Sequence, residues 1–464
     1  MKLMMRKTGR TMLATALALG VAGALTGAAP ADTLRDAMAD AYRNSQLLEQ
    51  NRYLLRVQDE NVTQAVAQLL PVFSFVASTS RDLQANTSTS SASLVGDLTL
   101  YQGGSRRAAI EAAEETVAAA RDQLVSLEQQ ILLDAVTAYL GVWRDMQVVE
   151  VSERNVRVIT QQLRAAQDRF EVGEDTRTDV AQAESQLALA RSNLAASQGS
   201  LEISRELFAL AIGRYPNGLS GPGAVPHLPS TEAEAERLAR QMHPSILALQ
   251  HEVRATEIAV EQSRGAGRPT VSLEGRVTET LQNPNPAFEG TGATLTLNLT
   301  QPIYRGGQVA SLERQALAQV SAVRFALNQQ TLVNVQAVGN AFARLRIASA
   351  QIQASDQRIR AAQLAFDGVR EEASLGARTT LDVLDAEQDL LEARITRIEA
   401  QTDLYIAAHS VLAASGLLTV EALNLPVPRY DAEAYSGAFQ PGVPRVASPQ
   451  GDRLDSLLER IGRD

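Results

Sequence analysis

Asp382 and Asp385 stand three residues apart where a helical pattern begins, so both project from one face of its first turns. The chemistry open to such a pair is electrostatic. Thr379-Thr380-Leu381-Asp382 has the spacing of a capping box, and acidic residues suit a helix N-terminus. Capping does not account for Asp385. The run Thr176-Arg177-Thr178-Asp179 has the same form, but Gln182 stands where a second carboxylate would. Covalent chemistry finds no constellation. The histidines, His227, His243, His251 and His409, lack metal-ligand spacing, and the chain has no cysteine. No serine sits in a nucleophile elbow, and no Gly-rich loop could cradle a phosphate. The expectation is a protein that is not an enzyme and holds no metal or cofactor.

The elements that position these residues come in two copies. Tyr101-Gln102-Gly103-Gly104 returns as Tyr304-Arg305-Gly306-Gly307, an offset of 203. The same offset carries Gly173, Thr176, Asp179, Val180 and Glu184 onto Gly376, Thr379, Asp382, Val383 and Glu387. Internal duplication is the secure reading. Proline is absent between Pro71 and Pro216 and between Pro302 and Pro426. Each desert opens with one long helix (about 103–171 and 306–374), breaks at Gly173 or Gly376, and continues as a second helix (about 176–213 and 379–416). Val180, Ala183, Leu187, Ala190, Leu194, Ser197, Leu201, Ser204 and Phe208 form a heptad seam for knobs-into-holes packing.

Ahead of each long helix the period changes to two. Thr294 to Leu299 alternates strictly, Thr270 to Thr278 does so nearly, and Val72–Arg81 and Ser93–Tyr101 are weaker versions. Strands are expected at about 71–82, 92–101, 269–279 and 293–303, with polar loops Asp82–Ser91 and Glu279–Gly292. Alternation of this kind suits a membrane barrel, and equally a half-buried soluble sheet. Four strands cannot close a barrel, and open edges in hydrocarbon leave backbone groups unpaired. In a membrane the barrel must therefore be shared among two, three or more copies of the chain.

The first 31 residues read as a cleaved leader. Lys2, Arg6, Lys7 and Arg10 precede an uncharged run that ends in the small-x-small site Ala29-Pro30-Ala31 before Asp32. Without those four cations the net charge falls from −10 to −14, so no basic footprint for nucleic acid exists. The layout becomes a first repeat at 32–218, a linker at 219–238, a second repeat at 239–424 and a largely disordered tail at 425–464. A periplasmic coiled-coil adaptor or structural protein would explain the leader and heptads. It leaves four alternating strands ahead of duplicated helices unexplained.

Taken in order, the duplication, the strand pairs, the Tyr-x-Gly-Gly segments and the tip runs Val172–Val180 and Leu375–Asp385 resemble the TolC family of outer-membrane efflux proteins. The run Arg177–Glu184 looks most like members that serve type I protein secretion. The resemblance implies an α+β membrane protein: a trimer with a 12-stranded β-barrel continued by a 12-helix α-barrel tunnel across the periplasm. It implies a passive outer-membrane exit duct, a periplasmic adaptor partner and an inner-membrane ABC or proton-driven transporter. By the same resemblance Asp382 and Asp385 form rings that narrow the periplasmic end, where crowded carboxylates favour bound cations. Arg378 and Thr379, with Thr176 and Asp179, supply polar contacts that hold the tips, while Gly173 and Gly376 turn the chain where adaptor hairpins dock. A tyrosine expected three residues before the tip glycine is Ala373 here, so part of the family's latch is missing.

Overall fold

The computed structural model describes residues 31–432; residues 1–30, all but the last of the expected leader 1–31, and the chain from 433 onward lie outside the described residues. In chain order the elements are α1 (Leu34–Asn44), α2 (Gln46–Ala67), β1 (Val72–Asp82), β2 (Thr87–Gln102), α3 (Ser105–Glu171) and α4 (Arg177–Ile212), followed by α5 (Glu232–Met242), α6 (Pro244–Gly265), β3 (Thr270–Gln282), β4 (Gly290–Thr300), α7 (Gln308–Ser374) and α8 (Thr380–Ala414).

The duplication has two registers. The long helices α3 and α7 each run 67 residues and start 203 apart. The short helices ahead of them repeat at 198, from Leu34 to Glu232 and from Gln46 to Pro244. The second strand loop is longer and absorbs the difference. Equivalent positions are equally buried: Ala37 and Ala235 at 0%, Ala41 and Ala239 at 0%, Leu48 and Ile246 at 2%. Following only the 203 register hides α1, α2, α5 and α6 from the sequence reading. It also places a linker over 219–238, of which residues from Glu232 belong to α5.

Each long helix starts two residues later than expected, for a backbone reason. Gly103 and Gly104 have φ of 61° and 85°, and Gly306 and Gly307 have 58° and 83°. Two successive left-handed residues turn the chain from strand to helix, and glycine alone adopts them without a Cβ penalty. At 1.5 Å per residue, each 67-residue helix is about 100 Å long. Near its middle α3 passes through the main core, where Leu132, Val136, Tyr139 and Leu140 meet Ala37 and Ala41 of α1 and Phe208 and Ile212 of α4. Towards the tips the core thins to a seam in which Ala183, Leu187 and Ala190 of α4 pack on Ile159 and Ala166 of α3.

The start of the expected tail is docked. Leu425 is buried in the main core, Arg43 donates to the Pro426 carbonyl at 2.8 Å, and the Arg52 guanidinium lies 4.8 Å from the Tyr430 ring centroid. Buried apolar area and two arginines thus order a Pro-rich stretch that composition alone marks as loose.

The four strands form one antiparallel sheet in the order β1-β2-β3-β4. β2 runs from Thr87 to Gln102 and pairs with β1 up to Asp82–Thr87, so most of the polar loop expected at 82–91 is strand. The register separates the two faces. One carries the rows Phe75-Leu94-Val277-Ala293 and Leu98-Leu273-Leu297; the other carries Val72-Asp97-Glu274-Thr296 and Thr99-Ser272-Asn298. On the apolar face the Phe73 ring lies over Gly96, where an added Cβ would come within 2.9 Å of it. Phe73, Phe75, Leu295, Leu297 and Leu299 are all exposed in one protomer. Both edge strands, β1 and β4, have a side without a strand partner among the described residues. No helix among the described residues is long and apolar enough to cross a membrane.

Candidate functional site

The end of the molecule opposite the sheet is built by two helical hairpins, α3–α4 and α7–α8. Their turns place Gly173 and Gly376 at φ of 84° and 77°. The second helix of each hairpin starts with a complete capping box. Thr176 Oγ1 donates to Asp179 Oδ2 at 2.6 Å and accepts from the Asp179 N–H at 3.3 Å. Thr379 Oγ1 donates to Asp382 Oδ2 at 2.8 Å and accepts from the Asp382 N–H at 3.2 Å. Hydrogen bonds from the Thr379 N–H and hydroxyl hold the Asp382 carboxyl below the ordinary range, so it is charged at neutral pH. The Thr176 hydroxyl and N–H do the same for Asp179.

Asp385 is exposed one turn further on, outside the capping box. Asp389 and Glu392 continue its face at heptad spacing, both exposed. Glu387 points the other way and is buried at 3% exposure. Burial raises its pKa, with Arg394 opposing.

Each tip is braced by an ion pair across its turn. Arg169 Nε meets Asp175 Oδ2 at 2.9 Å in the first hairpin, and Arg378 Nε meets Glu372 Oε2 at 2.8 Å in the second. The two pairs occupy equivalent positions in the 203-residue register with their charges exchanged. Arg378, expected to reach between helices, is thus engaged within its own hairpin in this protomer.

A link between the hairpins comes from residues the sequence reading passed over. Arg169 Nη2 donates to Thr380 Oγ1 at 2.8 Å, and that hydroxyl lies 3.3 Å from Asp175 Oδ2. Thr380 is 4% exposed, so the contact is shielded from water. Apolar contacts reinforce it: Leu384 of α8 packs on Ile159 and Leu187, and Val158 of α3 packs beside Phe366, Val383 and Leu390. Ala373 lies within the latter cluster. The opposite charges at 169/372 and 175/378 were the available sequence signal; Thr380 gave none, because Arg177 occupies its equivalent.

Elsewhere His251 Nδ1 lies 2.6 Å from Glu115 and its Nε2 lies 3.8 Å from Asp122, joining α6 to α3. No group of three or more His, Asp or Glu side chains arranged to hold a metal occurs among the described residues.

Comparison with known proteins bears on the whole chain. The family model described as outer membrane efflux protein matches residues 37–214 and 237–417, one match for each repeat. Outer membrane efflux protein BepC of Brucella suis biovar 1 (strain 1330) is 34% identical over 433 residues, which cover 92% of this chain and 95% of BepC. Outer membrane protein TolC of Escherichia coli (strain K12) is 24% identical over 67% of this chain and 66% of TolC. A crystal structure of CusC superposes with a TM-score of 0.76, covering 83% of this chain and 92% of that one at 19% identity, which speaks to the fold alone.

Proposed function

Because the chain belongs to the outer membrane efflux protein family and is an exit duct of the outer membrane, we propose that three copies close one 12-stranded barrel and gate it at the hairpin tips. The family is one of channel proteins, not enzymes, that serve as the outer-membrane components of tripartite export systems. The observation that carries the proposal is the four-stranded sheet, apolar on one face and polar on the other, with two unpaired edges. In hydrocarbon each unpaired backbone group costs several kcal/mol, so β1 of one copy must pair with β4 of the next. Three copies give twelve strands, a number at which a barrel encloses a water-filled lumen.

At the other end the α8 helices of three copies bring Asp382 and Asp385 around one axis. Six carboxylates there make a constriction that prefers cations and that polyvalent cations plug. Arg378, Thr379, Thr176 and Asp179 shape the tips, and the turns at Gly173 and Gly376 present them to a periplasmic adaptor, behind which an inner-membrane transporter supplies the energy. Opening separates the α7–α8 hairpin from α3–α4, which breaks the Arg169–Thr380 bond. Efflux is the reading favoured by the name of BepC, a relative that aligns along almost the full length. Protein secretion is supported by the run Arg177–Glu184.

Native mass spectrometry of the detergent-extracted protein tests the assembly. A trimer supports the closed barrel; a monomer or dimer that inserts into bilayers without conducting refutes it.

A further inference from the structure

Asp32 is held more completely than any neighbour in the sequence. Its N–H donates to the Gly218 carbonyl at 2.8 Å, and the Ser220 N–H donates to its carbonyl at 3.0 Å, a short parallel bridge beside Leu219. The same carbonyl accepts from the Tyr139 hydroxyl at 2.9 Å and the Ser220 hydroxyl at 3.0 Å. Its carboxylate takes a two-pronged pair from Arg214, at 2.6 and 3.1 Å, and the Asn217 N–H at 3.0 Å. Tyr139 is fully buried, and its hydroxyl also lies 2.7 Å from the Ser220 carbonyl, so its single proton is shared between the two carbonyls and the socket has a fixed floor. Arg214 is in turn tied to Asp40 of α1. One residue earlier, Ala31 is exposed. Between Ala31 and Asp32 the chain thus passes from an exposed residue to a tightly held one, at the bond that follows Ala29-Pro30-Ala31.

We propose that a leader peptidase cuts between Ala31 and Asp32, and that the socket of Arg214, Asn217, Gly218, Ser220 and Tyr139 is the binding site of the new N-terminus. Hydrolysis adds water across the peptide bond: oxygen goes to the Ala31 carbonyl, which leaves with the leader as a carboxylate, and the Asp32 nitrogen becomes an ammonium. The N–H that already meets the Gly218 carbonyl then belongs to a charged donor, and such bonds are shorter and stronger than neutral ones. Held there, the first residue of the first repeat clamps the segment that leads out of it, after α4. The inference rests on the chain being exported, and it stands apart from the number of protomers and from the gate.

The sequence supplies its own probe. Lys2 and Lys7 are the only lysines, so a chain cut at this bond carries a single primary amine, the Asp32 terminus. The protein is purified from outer membranes, its intact mass is measured, and its labelling by an N-hydroxysuccinimide ester at pH 7 is timed against the peptide Asp-Thr-Leu-Arg. The expected mass is that of residues 32–464, with labelling slowed by roughly tenfold or more, the order by which a charge-assisted bond shifts an equilibrium. Tyr139→Phe and Ser220→Ala, which loosen the floor without removing a charge, should bring labelling towards the peptide rate, as should Arg214→Ala where it folds. A chain that begins elsewhere, labelling at the peptide rate, or variants that leave the rate of the native protein unchanged would overturn the proposal. None of these results would touch the reading of the protein as an exit duct.

Discussion

Replacing Arg169 tests whether the bond between the hairpins holds the duct shut. Arg169→Ala removes the brace to Asp175 and the bond to Thr380 together, and leaves Asp175 with the Thr380 hydroxyl at 3.3 Å. Hydrogen bonds to charged groups contribute about 1.5–3 kcal/mol when shielded. The Arg169 side chain is 29% exposed, so solvent screening brings the cross-hairpin part to about 1 kcal/mol per protomer. In the proposed trimer, three tips that move together sum to about 3 kcal/mol, more than a hundredfold in the closed-to-open equilibrium. The assay is single-channel recording in planar bilayers, read as open fraction. Thr380→Val is the sharper variant, since it keeps the Arg169–Asp175 brace and removes only the link to α8. Combining it with Arg169→Ala should add little, because both break one bond. An open fraction unchanged within roughly twofold in both single variants, in protein that melts normally, would refute the latch.

The remaining predictions concern charge and backbone. Asp382→Ala with Asp385→Ala should raise conductance and weaken block by polyvalent cations by about tenfold or more, as expected when six clustered carboxylates are lost; unchanged block would remove the assignment. The Asp382 carboxyl titrates below its ordinary value, so the stabilisation from its cap is complete above that value and fades only as pH falls through the folded pKa; cation block should therefore persist at pH 5. Burial raises the pKa of Glu387, so its contribution to stability is greatest below the unfolded value and is lost as pH rises through the folded one. Glu387→Gln should accordingly raise the melting temperature at pH 7.5 and leave it unchanged at pH 4. Gly213 and Gly173 share a φ near 85°, but a Cβ at Gly213 would lie 2.6 Å from Asn44 Cβ, whereas nothing lies within 4 Å at Gly173. Gly173→Ala should cost about 1 kcal/mol and Gly213→Ala distinctly more, as thermal melts will show.

What could be read from the sequence followed from its periods. A period of two over ten residues and a heptad seam over thirty locate strands and helices without tertiary knowledge, because the pattern repeats along the element. The capping boxes at Thr176 and Thr379 were legible for a similar reason, as their contacts span three residues. The four short helices were not. α1 and α5 are only eleven residues long, too short for a period to repeat, and the 198-residue offset that relates them is masked by the longer loop between β3 and β4. The Arg169–Thr380 bond lay further out of reach, since its partners are 211 residues apart and no local pattern joins them.

The two halves have kept one backbone and exchanged its charges, which bears on how a duplicated chain can build a gate. Each tip needs a brace across its glycine turn, and either order of charges supplies one: Arg169 with Asp175, or Glu372 with Arg378. Had both copies kept the first order, positions 372 and 378 would exchange their charges, and the carboxylate of the brace would stand beside Asp382 in place of a cation. Reversal leaves the brace intact and places a cation next to the acids of α8, where Arg378 helps to keep Asp382 ionised. The faces of the inner helices diverge as well. Asp382, Asp385, Asp389 and Glu392 of α8 correspond to Asp179, Gln182, Gln186 and Leu189 of α4. In the proposed ring the two kinds of helix would alternate, so most of the negative charge would be delivered by every second helix. With Asp179 as its single carboxylate at these four positions, each intervening α4 would keep the carboxylates of successive α8 helices apart and limit their repulsion while the gate is shut. Gln182→Asp with Gln186→Asp would make the two kinds of helix alike at three of these four positions, leaving Leu189 opposite Glu392. The added repulsion should shift the resting duct towards open by tenfold or more at low ionic strength, and salt should reverse the shift, since screening acts over about 10 Å at 0.1 M. An open fraction that ignores both the added charges and the salt would show that the sparser charge of α4 is not what lets the acidic ring close.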